Sequence, residues 1–403
     1  MRFFKDLSPS AFTAGFVAVL VGFTSSVAIV FQAALAFGAT PELITSWMWA
    51  LGLGMGLCTL VPSLVLRKPV MVAWSTPGAA VLATAGVAGG FSMAEAVGAF
   101  MVCAALITLC GVTGWFERIM NRLPMAIASG LLAGVLARFG MQAFSAAHTN
   151  LPLVVLMLMT YLVGKRWLAR YAVPLTLLVA IVYVALSTGF TGAGVQFGFA
   201  MPVWTMPQFT LGAAISLALP LFVVTMASQN LPGVAAIVAA GYSHSAAKPG
   251  IPVSGMITLT GVATLLLAPF GAFALNFSAI TAAICMGREA HPDPDRRYTA
   301  AVSCGVLYVL IGIFGTAITG ALTAFPKELV AAIAGLALLG TIGTALSTAL
   351  RDDFHREAAL ITFLVTLSGV VIAGVGSAFW GVMAGALALL VQRIGKSHFD
   401  LPA

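Results

Sequence analysis

Three polar groups interrupt an otherwise apolar chain: Ser75-Thr76-Pro77-Gly78, Ser228-Gln229-Asn230 and Asn276-Phe277-Ser278. None of them is built for bond-breaking chemistry. The five histidines (His148, His244, His291, His355, His398) fall in predicted loops, with neither metal-ligand nor nucleophile–base spacing. The five cysteines lie in apolar stretches and read as small packing residues. What the three groups can do is bind. Thr76 followed by Pro77 reads as a helix start, with Thr76 as N-cap and Pro77 at the first helical position. A helix N-terminus that faces a cavity offers free N–H groups and a partial positive charge to an anion. The chemistry expected here is the binding of a small anion.

The elements that must hold these groups are unusual for a membrane chain. Val70 to Trp74 is extended in character, and a helix of only about a dozen residues follows it. Irregular backbone at membrane depth is tolerated only when it is buried in protein or lines a cavity. Asn276, read as the N-cap of a second short helix, places Phe277 and Ser278 in the same role. The candidate binding residues are therefore Ser75, Thr76, Gly78, Asn276, Phe277 and Ser278, weighed against plain helix capping and close packing. Trp74 is a candidate stacking partner for an aromatic ligand. Gln229 and Asn230 must find partners in their apolar setting, in another helix or in a ligand. Ser25, flanked by Thr24 and Ser26, and Gln32 are further candidates in the first crossing. Arg138 lies near the outer end of its crossing and is expected to snorkel to water. Ser92 and Glu95 form a capping box, and the charged run from Gly287 to Tyr298 reads as a solvated turn.

Composition sets the frame. The chain has 403 residues, 61% hydrophobic and only 8% charged, against roughly 25% charged in soluble domains. This is the make-up of an all-α polytopic membrane protein with no large soluble domain. No basic run interleaved with aromatics supports nucleic-acid binding, and nothing calls for a cofactor or a metal. The apolar stretches are 12–37, 43–66, 70–87 (broken), 93–115, 123–143, 151–168, 172–189, 209–231, 251–268, 271–287 (broken), 298–321, 326–349, 357–375 and 377–394, which makes fourteen crossings. With both termini in the cytoplasm, all but Arg138 and Lys327 of the 19 lysines and arginines fall on the cytoplasmic side. Merging either broken stretch with a neighbour would scatter them over both faces.

The two halves resemble each other. Pro124 and the segment after it recur at Pro326, 202 residues on, and Gln32 recurs as Gln229, 197 residues on. The broken stretch at Thr76-Pro77 recurs at Asn276-Phe277-Ser278. An odd number of spans per half forces opposite orientations, so residues 1–203 and 204–403 read as two inverted seven-span repeats. Paired broken helices in inverted repeats point to a secondary transporter with its site near the midplane.

The segments Gly22-Phe23-Thr24-Ser25-Ser26-Val27-Ala28-Ile29-Val30-Phe31-Gln32-Ala33-Ala34 and Ala73-Trp74-Ser75-Thr76-Pro77-Gly78-Ala79-Ala80 resemble the benzoate transporter family, BenE type. The resemblance extends over nearly the whole chain. It implies a bacterial inner-membrane symporter of benzoate with a proton, near the nucleobase and anion transporters that share a seven-plus-seven fold. It further implies a core domain (1–117 with 205–321), a gate domain (122–190 with 325–396) and homodimers made through the gate. Related proton-coupled nucleobase carriers hold carboxylates in spans 8 and 10, where this chain has Gln229-Asn230 and Asn276-Phe277-Ser278. A carboxylate there would repel an anion, so its absence fits an anionic substrate, while leaving no residue assigned to carry the proton. An anion channel, or a carrier of another small anion or a nucleobase, stays open as the alternative.

Overall fold

The structure is a computed structural model and describes residues 3–24, 26–120, 124–168, 171–187, 198–244, 249–315, 325–370, 372 and 377–396. Ser25 lies outside the described residues, as do the predicted span ends at 123, 189, 321 and 375. The chain is mostly helical. Its first half contains α1 (Pro9–Thr24), α2 (Val27–Ala36), α3 (Pro41–Leu66), strand β1 (Val72–Trp74), α4 (Thr76–Gly89) and α5 (Met93–Thr113). Helices α6 (Met125–Ser145), α7 (Leu151–Trp167) and α8 (Ala172–Ser187) follow. The second half has α9 (Leu211–Ala239) and α10 (Val253–Leu267), then strand β2 (Leu275–Phe277) and α11 (Ala279–Met286). It ends with α12 (Tyr298–Ile313), α13 (Lys327–Ala349), α14 (Arg356–Ser368) and α15 (Ser377–Lys396). Among the described residues, five helices are long and apolar enough to cross a bilayer unaided: α3, α5, α9, and α6 and α10 with their short continuations to His148 and Phe270.

Both broken stretches are broken, and their extended parts pair with each other. β1 and β2 run antiparallel, with Val72 opposite Phe277, Ala73 opposite Asn276 and Trp74 opposite Leu275. Ser278 N–H adds a further bond to the Met71 carbonyl at 3.1 Å. The remaining backbone groups need partners, because an unsatisfied amide in a dry interior costs several kcal/mol. The preceding helices supply hydroxyls. On α3, Thr59 accepts from Val72 N–H at 3.1 Å, and Ser63 both accepts from Val70 N–H and donates to the Val70 carbonyl, each at 3.1 Å. On α10, Thr264 accepts from Leu275 N–H at 3.1 Å and donates back to the Thr260 carbonyl at 2.8 Å. Each half thus uses a side-chain oxygen from the helix before the strand.

Close helix crossings bring these elements together. A Cβ on Gly52 would sit 2.6 Å from the Gly312 backbone, and one on Gly56 2.8 Å from the Gly305 carbonyl, so α3 and α12 touch along small residues. Gly111 meets Thr258 backbone at 2.5 Å in the same sense, which packs α5 on α10. A second group forms around α6, whose Gly130 and Gly134 lie against the carbonyls of Ala359 and Phe363 on α14.

Three expectations change. The first crossing is not one rod: α1 and α2 part at Ser26, whose backbone leaves helical values and whose hydroxyl donates to the Gly22 carbonyl at 3.0 Å. Arg138, partly exposed, does more than reach for water. Its guanidinium donates to the carbonyls of Leu367 (3.1 Å) and Thr366 (3.3 Å) and to Ser377 Oγ (3.4 Å), closing the C-terminal end of α14, where the dipole favours a cation. The eighth crossing runs past residue 231 to Ala239, and it widens to i→i+5 bonding over Ala214–Ala218 and Met226–Asn230. Pro220 and Pro232 explain both wide turns. Each ring would strike the carbonyl four residues back, at Ser216 and Ser228, and each lacks the N–H that would bond it. The capping box is present as expected, with Glu95 accepting from Ser92 N–H at 3.0 Å.

Thr59→Val and Thr264→Val keep side-chain shape and remove the acceptor. Each leaves one strand amide unpartnered and is expected to lower stability by about 1–3 kcal/mol, read as a lower melting temperature of the detergent-solubilised protein. An unchanged melt in both variants would show that the strands need no help from their neighbouring helices.

Candidate functional site

The caps differ from the sequence expectation by one and two residues. Ser75, not Thr76, is the N-cap of α4: its Oγ accepts from Gly78 N–H at 3.1 Å, which puts Thr76 and Pro77 at the first two helical positions. Proline is tolerated at either place because neither N–H has a partner within the helix. Ser278, not Asn276, caps α11, accepting from Thr281 N–H at 3.4 Å. Asn276 sits within β2, where pairing with Ala73 fixes its backbone as strand. Its side chain donates to the Ala274 carbonyl at 2.9 Å, and its buried Oδ1 has no partner among the described residues.

The two helix starts share one small cavity. Its volume is about 40 Å³, and Thr76 from α4 meets Ser278 and Thr281 from α11 on its wall. Trp74, Phe23, Tyr308 and Met55 supply its apolar side, and Gln229 and Ser26 add polar groups. Trp74 is fixed in place: its indole N–H donates to Ser26 Oγ at 2.9 Å, and its ring lies 5.6 Å from that of Phe23. Gly22 leaves the space open. A Cβ there would stand 3.0 Å from Thr281 Cγ2 and 3.1 Å from Tyr308 Oη. Thr281 is 1% exposed, and its hydroxyl oxygen has no partner among the described residues. An unsatisfied hydroxyl at a helix start, on the wall of a cavity, is a group waiting for an acceptor or a donor.

Sorted by this geometry, the candidate residues divide. Thr76, Trp74, Gln229 and Ser278 line the cavity. Ser75, Gly78, Asn230 and Phe277 build it from behind. Ser75 Oγ also receives the Thr225 hydroxyl at 3.0 Å, and Gly78 lets α4 approach Leu221 of α9, where a Cβ would come within 2.6 Å. Asn230 accepts from Phe277 N–H at 3.0 Å and donates to Met226 Sδ at 3.2 Å, tying the wide turn of α9 to β2. Gln229, its neighbour in that wide turn, lines the cavity, and its side chain makes no hydrogen bond among the described residues. Gln32 does not line this cavity; it is exposed on α2. Sequence reasoning missed Thr281, Tyr308, Phe23 and Met55. A tyrosine in the middle of an apolar crossing was the one available signal. No carboxylate lines the cavity, and no group of metal-ligating side chains occurs, among the described residues.

A second, larger cavity of about 840 Å³ opens beyond the other end of α11. Ala283 and Met286 of that helix line it, with Leu132 of α6, Thr344 of α13 and the cations Lys165, Arg288 and Arg297. The eight residues of α11 thus have one end on the small cavity and the other on the large one.

Comparison with known proteins agrees with the resemblance seen in the sequence. The family profile described as "BenE: Benzoate membrane transport protein" matches residues 5–391. The chain is 47% identical to the "Inner membrane protein YdcO" of Escherichia coli (strain K12), over 98% of both chains. It is 38% identical to a "Benzoate membrane transport protein" of Acinetobacter baylyi, over 96% of both. Among solved structures, the transmembrane domain of a cyanobacterial bicarbonate transporter, BicA, matches over 98% of both chains at 14% identity and a TM-score of 0.46. The chain belongs to the benzoate membrane transport protein family, a family of membrane transporters and not of enzymes.

Proposed function

We propose that this chain carries benzoate, or a closely similar aromatic carboxylate, across the inner membrane by alternating access. One observation carries the reading: two half-helix starts and three aromatic side chains face the same small cavity. The carboxylate sits at the ends of α4 and α11, where helix dipoles favour negative charge, and takes hydrogen bonds from Thr76, Thr281 and Gln229. The ring lies against Phe23, Trp74 and Tyr308. This corrects the pair of anchor points from Thr76 and Asn276 to Thr76 and Ser278–Thr281. At about 40 Å³ the cavity holds about three waters, so an aromatic acid enters only when the surrounding elements move apart.

The movement follows from a fourteen-span inverted-repeat plan. Residues 1–117 with 205–321 act as a core that carries the site, and residues 122–190 with 325–396 act as a gate. Helix packing supports this division, because α3 rests on α12 and α5 on α10, while α6 rests on α13 and α14. The positive-inside rule favours both termini in the cytoplasm; on that orientation the large cavity faces the cytoplasm and the conformation is open inward. Since no carboxylate faces the small cavity among the described residues, the proton joins the bound carboxylate itself rather than a side chain. An acidic outer compartment favours that protonation and so drives entry.

Uptake of radiolabelled benzoate into proteoliposomes tests this. An outside-acid gradient is expected to raise accumulation, and a protonophore to abolish the excess. Nucleobases and inorganic anions compete poorly. Currents far above carrier turnover, with no counterflow exchange, would point to a channel instead.

Two neighbouring amides separate ligand contact from scaffold. Gln229→Ala is expected to cut uptake by about tenfold or more, the size of a lost hydrogen bond to a charged group, with the melting temperature unchanged. Asn230→Ala strands the Phe277 amide and lowers stability by about 1–3 kcal/mol. Normal uptake by folded Gln229→Ala, Thr76→Val and Thr281→Val proteins would remove this cavity from the transport path.

A further inference from the structure

The charged turn after α11 is not simply a solvated loop. Arg297, 8% exposed, donates to three backbone carbonyls: Nε to His291 (2.8 Å), Nη1 to Met286 (2.8 Å) and Nη2 to Pro292 (3.4 Å). The turn is then pinned to its surroundings. Tyr242 donates to the Pro294 carbonyl at 2.9 Å, Lys68 pairs with Asp295 at 2.8 Å, and Tyr298 donates to Asp6 at 2.9 Å. Each of these partners lies in the proposed core.

One side chain of the turn points the other way. Glu289 accepts from Lys165 Nζ in the last turn of α7 at 2.8 Å, with side-chain exposures of 13% and 44%. Its carboxylate lies against Gly340 of α13, where any Cβ would collide with it. Lys165 is also held over the ring of Tyr161, 5.7 Å from its centroid. Both Lys165 and Gly340 belong to the proposed gate, and all three residues line the large cavity. Among the described residues this is the one ion pair that joins the two groups of elements; the others stay within one of them.

We propose that Lys165 and Glu289, with Gly340 as the seat for the carboxylate, form a strap that holds core and gate in the cytoplasm-open conformation and parts in every transport cycle. The inference rests on the reading that core and gate move past each other. A turn braced so heavily on one side makes Glu289 a rigid arm, and a rigid arm transmits displacement. The half-buried setting makes the pair less screened than a surface pair, while the large cavity beside it gives room for water to solvate both charges when they separate. The strap biases an equilibrium between two states without locking it.

The test reads conformation without substrate, so it stands apart from whether the chain transports benzoate. Spin labels replace Phe4 and Trp167, both exposed and neither a member of the strap, while the native cysteines are buried. Distances are measured by pulsed electron paramagnetic resonance in proteoliposomes. Glu289→Gln and Lys165→Met are each expected to shift the ratio of the two distance populations away from the present one by about two- to fivefold. Gly340→Ala should do the same by evicting the carboxylate. The charge swap, Lys165→Glu with Glu289→Lys, should return the ratio towards that of the native chain. Unmoved distributions in both single variants overturn the strap, and so does a swap that leaves the shift in place. If the ratios respond as expected while benzoate uptake is absent, the strap stands and the substrate reading falls.

Discussion

Every amide in the interior of a membrane protein needs a partner, and here that requirement bears on two strands placed where water cannot help. The solution is reciprocal. β1 and β2 satisfy one another, and Thr59, Ser63 and Thr264 satisfy what the pairing leaves over. The short helices can begin in mid-crossing only because these strands deliver them there. The cavity exists only because the helices begin there. Fold and site are therefore one arrangement, in which a polar ladder replaces what would elsewhere be two continuous helices.

That ladder also limits how the site can open. The strands that precede α4 and α11 are bonded to each other, and Ser278 N–H is bonded to the Met71 carbonyl. Pulling the two helix starts apart would leave those groups bare in a dry interior, at several kcal/mol each. Sliding the whole assembly against neighbouring helices breaks none of them. In the proposed mechanism this cheaper motion leaves the substrate held while its surroundings change. The proposed site has no fixed charge among the described residues that line it. Dipoles and hydroxyls hold an anion more loosely than an arginine would, and a carrier must let go.

Much of this could be read from residue types. Thr76-Pro77-Gly78 announced a helix start at the wrong depth for a continuous crossing, and the second half echoed it at the right distance. The caps slipped because Ser75 and Thr76 are both good caps and proline is accepted at either of the next two positions. Asn276 was misplaced for a different reason. Its strand partner Ala73 lies far away in sequence, and no local pattern reveals a pairing of that range. Gln32 matched Gln229 by spacing, yet α1 and α2 part at Ser26 and leave it on the exposed face. Thr281 escaped notice because a threonine hydroxyl in an apolar helix bonds to its own backbone as readily as to anything else, whereas Tyr308 carried a signal in its position that was passed over. Arg138 was legible as an intramembrane cation, but only three dimensions show the helix end it closes.

The wide turns of α9 have a geometric corollary. Each inserts one residue beyond a regular helix, and a residue advances an α-helix by about 100°. The wide turn at Met226–Asn230 sets the register in which Gln229 meets the cavity and Asn230 meets β2. A relative that lost one residue there, together with Pro232, would keep a continuous helix and an unchanged polar composition. It would nonetheless rotate everything upstream by a quarter turn or more, so that a gap of a single position in this segment marks a change of ligand surface.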